Sequence, residues 1–521
     1  MEEDKLKIKG KIETEKIVYG KDEKKIGKNL VTSSESSVQS EGNITVSEEV
    51  SNKGKILSDK ELNIKGNTVN EGTLYGKDNV RIEKDLTNTG SVQTTGELTA
   101  QNTVNTGKLT AEKDIKTENL DNSGEITTNK KLSTKNIDNK STGKIIAGEE
   151  ITTAGNVKNS GTVNTNGDFV INGNLENYNV INAGGLLNTK DLQNTGALKV
   201  SDKIVSRGSI FSNNGEILTT NLDVDTVNIT NSNKITVVET AKLKAGNINN
   251  QGTIAANNIE ITTPVLTNSG QMLASETITA NNTSLTNTGK LASNNKIDLN
   301  NSSVINRNMM ESTTINLQNL FSYDNNTGII RGNNITLTSV GNLFLEGKVQ
   351  GIENLLISGL DITNNGNTIG SGLVRLSGKD IINNLTISGS NIELLANNIT
   401  NKDLIIFLDK LDIEGTKLIN KEASIYSDNE LNIRTGDVDN TDGEIVGQST
   451  LNITGFSLLD NTRGIIDSRG NILLSGNKLL NSGEVSGQYR LYWKTWDGQY
   501  IYDDVWRELN DDYMEKGGKI F

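Results

Sequence analysis

The sequence predicts an all-β parallel β-helix, a solenoid with about 19 residues per rung. Three observations predict it: a corner motif that recurs at a fixed interval, apolar residues that keep the same interval, and a composition that suits a narrow core. The motif is Asn, any residue, Gly. It stands at Asn52-Lys53-Gly54, Asn70-Glu71-Gly72, Asn88-Thr89-Gly90, Asn105-Thr106-Gly107 and Asn122-Ser123-Gly124, with glycines 18, 18, 17 and 17 residues apart. It continues through Asn159-Ser160-Gly161, Asn268-Ser269-Gly270 and Asn287-Thr288-Gly289 and returns at Gly443, Gly464 and Gly483. From Gly54 to Gly483 is 429 residues, and 23 periods over that span give a mean near 18.7.

The apolar residues follow. After Gly107 they fall at Leu109, Ala111, Ile115, Thr117 and Leu120, and after Gly124 at Ile126, Thr128, Leu132, Thr134 and Ile137. Alternation over a few residues marks strands with one buried face. Val, Ile and Thr suit strands. Asn and Gly are expected at the corners because both tolerate a left-handed backbone. A unit this short cannot hold a helix pair or a propeller blade, but it suits three short strands of one solenoid turn. About 24 such turns stacked 4.8 Å apart would extend about 115 Å. Asn repeated at one corner can form a ladder of side-chain amide hydrogen bonds. The ladder and turn residues expected from the motif are Asn70, Gly72, Asn88, Gly90, Asn105, Gly107, Asn122, Gly124, Asn159, Gly161, Asn268, Gly270, Asn287 and Gly289.

Composition agrees. The 521 residues include 74 Asn, 51 Gly and a single Pro, and aromatics are 4%. Pro would remove a ladder hydrogen bond, and most aromatics are too large for a thin core. Regular apolar offsets argue against low-complexity disorder. Between about Arg331 and Glu430 the period blurs, yet Ile335-Leu337, Leu343-Leu345 and Leu355-Ile357 keep the alternation, so the same solenoid with variable loops is expected there.

The absent residues limit the chemistry. With no Cys there is no disulfide framework, thiolate metal site or Cys nucleophile. Without His there is no Ser-His-Asp triad and no His-ligated zinc. A net charge of -13 with both signs interspersed argues against a nucleic-acid partner. The longest apolar run, Leu404 to Leu408, is too short to span a bilayer. P-loop and G-x-S-x-G patterns do not occur. Asp437-Val438-Asp439-Asn440-Thr441-Asp442-Gly443 places its Gly one position late for an EF-hand and reads as an acidic corner. Carboxylate pairs such as Glu149-Glu150 and Asp503-Asp504 read as incidental in so acidic a chain. No catalytic residue, cofactor or metal site is expected, and the chain does not read as an enzyme.

Units such as Leu120-Asp121-Asn122-Ser123-Gly124-Glu125-Ile126 and Leu285-Thr286-Asn287-Thr288-Gly289-Lys290-Leu291-Ala292 resemble the haemagglutinin repeats of the filamentous haemagglutinin family. The resemblance covers roughly residues 40 to 487. Members are large exoproteins exported by two-partner secretion. It implies a right-handed β-helix, a secreted or cell-surface location, an outer-membrane transporter as export partner, and a glycan or protein receptor on a host or bacterial cell. It also implies work as the shaft and adhesive region of an adhesin or, alternatively, as the shaft of a contact-dependent toxin-delivery exoprotein. A polysaccharide-acting β-helix enzyme would need acidic and basic groups converging on one rung face, which the spacing does not show. Lack of Cys fits a passenger that crosses two membranes unfolded. Met1-Glu2-Glu3-Asp4-Lys5 has no apolar stretch of the signal-peptide kind, and the chain reads as a central fragment of a longer exoprotein.

The ends differ. Residues 1–40 are rich in Lys and Glu and read as degenerate rungs or a frayed end; residues 41–487 form the repeat region; residues 488–521 read as an aromatic cap or the start of a following domain. From Tyr489 onward the last 33 residues hold nine of the 20 aromatics. Tyr489, Tyr492, Trp493, Trp496 and Trp506 are the candidates for covering the solenoid end or touching a partner.

Overall fold

The computed structural model describes residues 7–8, 12–14, 17–482, 492–494, 500–502 and 518–520. The chain forms two units, Met1–Pro264 with Gly270–Leu273, and Val265–Ser269 with Ala274–Phe521. All regular elements among the described residues are β-strands. No helix among them is long and apolar enough to cross a membrane.

In the first unit one rung runs through strands Asn79–Ile82, Leu86–Asn88 and Ser91–Thr94. The next runs through Glu97–Thr99, Asn102–Asn105 and Lys108–Ala111. Each strand pairs in parallel with its successor: Val80 lies opposite Leu98, Asn88 opposite Asn105, and Val92 opposite Leu109. The fold is therefore a parallel β-helix in which corners turn the chain between three short strands. Period-2 alternation sends every other side chain inward. Leu109, Ala111, Ile115, Thr117 and Leu120 are all buried, as are Ile126, Thr128, Leu132, Thr134 and Ile137 one rung on. Each fully buried aliphatic contributes about 1.5–3 kcal/mol. Strands within residues 1–40 stack in the same way, Leu30–Thr32 pairing with both Ile12–Thr14 and Val50–Asn52.

The core admits a few aromatics. Phe169, Phe211 and Phe407 are fully buried. Phe407 fits because Gly389 precedes it in the stack and Ser427 follows.

The second unit carries the blurred stretch, and its core column is unbroken. Ile335, Leu355, Val374, Ile392, Leu411 and Leu431 lie opposite one another in turn. The landmark fades because its Asn or its Gly is replaced there: Leu345 stands opposite Asn364, Leu385 and Asp403 stand where Gly would follow Asn383 and Asn401, and Ala423 does so after an extra residue, Glu422. On either side of that stretch, in Asn325-Asn326-Thr327-Gly328, Asn440-Thr441-Asp442-Gly443 and Asn461-Thr462-Arg463-Gly464, one extra residue separates Asn from Gly. That extra residue takes the left-handed conformation, with φ of 64° at Thr327, 55° at Asp442 and 56° at Arg463. A β-branched side chain is strained there, whereas Asn adopts this region readily. Thr327→Asn is therefore expected to raise stability by about 1 kcal/mol, read as a higher urea midpoint with an unchanged slope.

At the C-terminal end of this unit, strand Lys519–Ile520 pairs in parallel with Ile465 and Ile466. Gly518 N donates to Ser482 O at 3.3 Å, and Lys519 N donates to Gly464 O at 2.7 Å. The segment Gly518-Lys519-Ile520 repeats the wording of Gly54-Lys55-Ile56 and Gly143-Lys144-Ile145, so it forms the strand that follows a corner. Strands Tyr492–Lys494 and Tyr500–Tyr502 form a separate antiparallel pair. Tyr489, Trp496, Trp506 and the Asp503-Asp504 pair lie outside the described residues.

Candidate functional site

Two features repeat along the corners: one is buried and the other faces solvent. The buried one is a column of Asn side chains. In the first unit Thr32 Oγ1 donates to Asn52 Oδ1, and the Nδ2 of each Asn then donates to the Oδ1 of the next. The series runs through Asn70, Asn88, Asn105, Asn122, Asn139, Asn159, Asn177, Asn194, Asn213 and Asn231 to Asn250, at 2.6–2.9 Å. In the second unit it runs from Asn268 through Asn287 and Asn306 to Asn325 at 2.7–2.8 Å. It resumes from Asn364 to Asn481. The gap is at Leu345, which lies opposite Asn364. There Asn325 Nδ2 donates instead to the Glu346 carbonyl at 3.0 Å. Each amide also donates to carbonyls, as Asn70 does to Gly72 O and Ser91 O, both at 3.1 Å. A buried amide needs such partners, and the column supplies them at every turn. These side chains are consumed by the scaffold and present nothing to a ligand.

The corner glycines serve a different purpose from the one the sequence suggests. A positive φ is found at Gly347 and Gly455, not at Gly72, Gly90, Gly107, Gly124, Gly161 or Gly270, which correct the left-handed expectation. Close approach is the reason. A Cβ on Gly72 would lie 2.0 Å from Gly54 O, and one on Gly107 2.1 Å from Gly90 O. At these corners the stacked backbones leave no space for a side chain, whereas Asn179, Asn233, Asn308 and Asp403 hold the same place in other corners.

The solvent-facing feature is a groove of about 480 Å³ across four rungs of the first unit. One wall is a corner column of Asn119, Asn136, Asn156 and Asn174; the other is Asp121, Asp138, Lys158 and Glu176. The second set occupies one stacked position, since Asp121 lies opposite Asp138, Asp138 opposite Lys158, and Lys158 opposite Glu176. Before them that position holds Ser51, Val69, Thr87 and Val104, and after them Gln193, Ser212 and Thr230. Between Ser51 and Thr230 charge at this position is confined to the grooved rungs; in the second unit it recurs at Asp324, Asp439 and Asp460.

Both walls are organised by their own hydrogen bonds. Asn119 Nδ2 donates to Asn102 Oδ1 at 2.7 Å, and Asn136 Nδ2 donates to Asn119 Oδ1 at 2.8 Å. Asn136 Oδ1 and Asn156 Oδ1 accept the backbone N–H of Asn156 and Asn174, both at 2.9 Å. The amide donors of Asn156 and Asn174 have no hydrogen-bond partner among the described residues. On the other wall Lys140 Nζ pairs with Asp138 and reaches Asp121 at 3.4 Å. Tyr178, 48% exposed, donates its hydroxyl to Glu176 at 2.9 Å, with Lys158 Nζ 5.7 Å from its ring centre. The hydrogen bond to Asp138 holds the Lys140 ammonium above its usual pKa, and that to Glu176 does the same for the Tyr178 phenol. Both therefore keep their protons at neutral pH.

None of these groove residues was singled out from the sequence. A signal exists: the residue before each ladder Asn is charged at Asp121, Asp138, Lys158 and Glu176 and uncharged at Val69, Thr87, Val104 and Gln193. It becomes visible once the rungs are aligned. The other acidic candidates are engaged. Glu150 pairs with Lys131 at 2.7 Å, and Glu149 pairs with Lys130. Asp442 accepts two hydrogen bonds from Arg463, at 2.7 and 2.6 Å, which hold its carboxyl below the usual range. The acidic corner around Asn440 is thus a rung corner closed by an ion pair. The chain matches no protein-family model, and neither a curated protein nor a solved structure was found to resemble it.

Proposed function

We propose that this chain is the shaft and adhesive region of a large bacterial surface or secreted adhesin of the haemagglutinin-repeat kind, and that it acts by binding rather than catalysis. The observation that carries this reading is the contrast between inward and outward positions. Inward positions repeat aliphatic residues on every rung and Asn on most, with Thr32 and Leu345 in its place. Outward positions change from rung to rung, as in the series Val69, Thr87, Val104, Asp121, Asp138, Lys158. A constant scaffold with a variable face can carry several weak contact sites, and many weak contacts joined on one body give avidity. The partner is a receptor on a host or bacterial cell, and export uses a transporter of the two-partner type. Beads coated with the purified chain are expected to be retained on epithelial or bacterial cells, with saturable inhibition by free protein. Retention no greater than that of albumin-coated beads on both cell types would overturn the reading.

A further inference from the structure

We propose that the groove formed by Asn119, Asn136, Asn156 and Asn174 on one side and Asp138 and Glu176 on the other binds a neutral glycan chain laid across the rungs. This deepens the adhesive reading and rests on it. The chemistry of the walls selects the ligand. The amide wall offers N–H donors, those of Asn156 and Asn174 being unengaged among the described residues, and the opposite wall offers carboxylate acceptors. A ligand must therefore accept on one side and donate on the other at each step. Sugar hydroxyls do both.

Charge excludes the alternatives. Three carboxylates, Asp121, Asp138 and Glu176, repel a polyanion. They do not call for a polycation either, because Lys140 already spans Asp121 and Asp138 and Lys158 lies beside Glu176. An extended peptide has no sheet edge to join, since the backbone of the groove floor at Leu120, Ile137 and Val157 is paired within the stack. Its rise of about 3.3 Å per residue also fails to match rungs about 4.8 Å apart. A hexose unit is closer to the rung spacing. Tyr178 stands beside the groove rather than lining it, tied to Glu176, and the face of its half-exposed ring away from Lys158 is available to the C–H surface of a sugar. The volume lies within the range of small-ligand sites.

The test is calorimetric titration of the full chain with two neutral probes, the β-1,4-linked hexaoses of glucose and of N-acetylglucosamine, and with a sulfated heparin hexasaccharide. A dissociation constant below about 1 mM for at least one neutral hexaose is expected. Tyr178→Ala and Asp138→Ala should each weaken it about tenfold or more while leaving the urea midpoint in place. Asp225→Ala, which removes an ion pair with Lys244 elsewhere in the same unit, should leave binding unchanged. Tighter binding of the heparin fragment, no binding of either neutral hexaose, or an equal loss in Asp225→Ala would overturn the proposal. If the hexaoses fail but coated beads still adhere to cells, the groove assignment falls and the adhesive reading stands. If the beads fail too, both fall.

Discussion

Asn122→Ala is expected to lower the stability of the first unit by about 2–4 kcal/mol, measured as a drop in the urea midpoint followed by circular dichroism. Asn122 is fully buried. Its Oδ1 accepts from Asn105 Nδ2 at 2.8 Å, and its Nδ2 donates to Asn139 Oδ1 at 2.8 Å and Gly124 O at 3.1 Å. Truncation leaves the buried Asn139 Oδ1 without its donor, and Asn105 Nδ2 loses its side-chain acceptor while keeping Gly107 O and Glu125 O. Each buried polar group left unpaired costs about 1–3 kcal/mol. The Leu345 gap does not contradict this. There the neighbouring backbone has moved, Gly347 sits at a φ of 66°, and Asn325 finds the Glu346 carbonyl. No such rearrangement is built into the Asn122 corner. Removing the half-exposed carboxylate of its neighbour, Asp121→Ala, should cost less than about 1 kcal/mol.

Gly124→Ala is expected to cost about 3 kcal/mol. The added methyl would lie 2.1 Å from Gly107 O and 2.6 Å from the Thr106 carbonyl carbon. Both are backbone atoms of the rung beneath, so relief requires the corner to lift and its hydrogen bonds to lengthen. Gly124 N donates to Asn105 O at 3.1 Å, and Glu125 N donates to Gly107 O at 2.8 Å. The same substitution at Gly341, where a Cβ would meet nothing within 4 Å, should change stability by less than about 0.5 kcal/mol. Equal costs at Gly124 and Gly341 would mean that corner stacking is looser than described.

Much of the scaffold is legible in the sequence, because one rung is copied many times. The offsets from Gly107 to Leu109, Ala111, Ile115, Thr117 and Leu120 are the inward positions themselves. The amide column follows from the recurrence of Asn at one offset. The purpose of the glycines was not legible, since a left-handed turn and a close backbone approach both select Gly and only the stacked geometry separates them. The blurred region hid its order because Leu345 replaces a ladder Asn, Leu385 and Asp403 replace corner glycines, and Glu422 is an extra corner residue, all without disturbing the core. The strand Lys519–Ile520 was hidden for another reason: its partner strand, Ile465–Ser468, precedes it by more than fifty positions in the sequence. The groove escaped notice because its walls come from four rungs. Each contributes a single unremarkable Asn, Asp, Lys or Glu, and only stacking brings them side by side.

Hydrogen–deuterium exchange of the intact chain tests the stacked-corner account most directly. Ordinary loop amides exchange quickly, but here corner amides are bonded to the rung beneath. Gly90 N donates to Asn70 O at 3.1 Å, and Gly107 N donates to Asn88 O at 3.2 Å. Peptides covering these corners should be protected as strongly as those covering Ser91–Thr94 and Lys108–Ala111, and protection should fall around Asn105 and Asn139 in Asn122→Ala. Corners that exchange within seconds while the strands stay protected would contradict a solenoid held together through its corners.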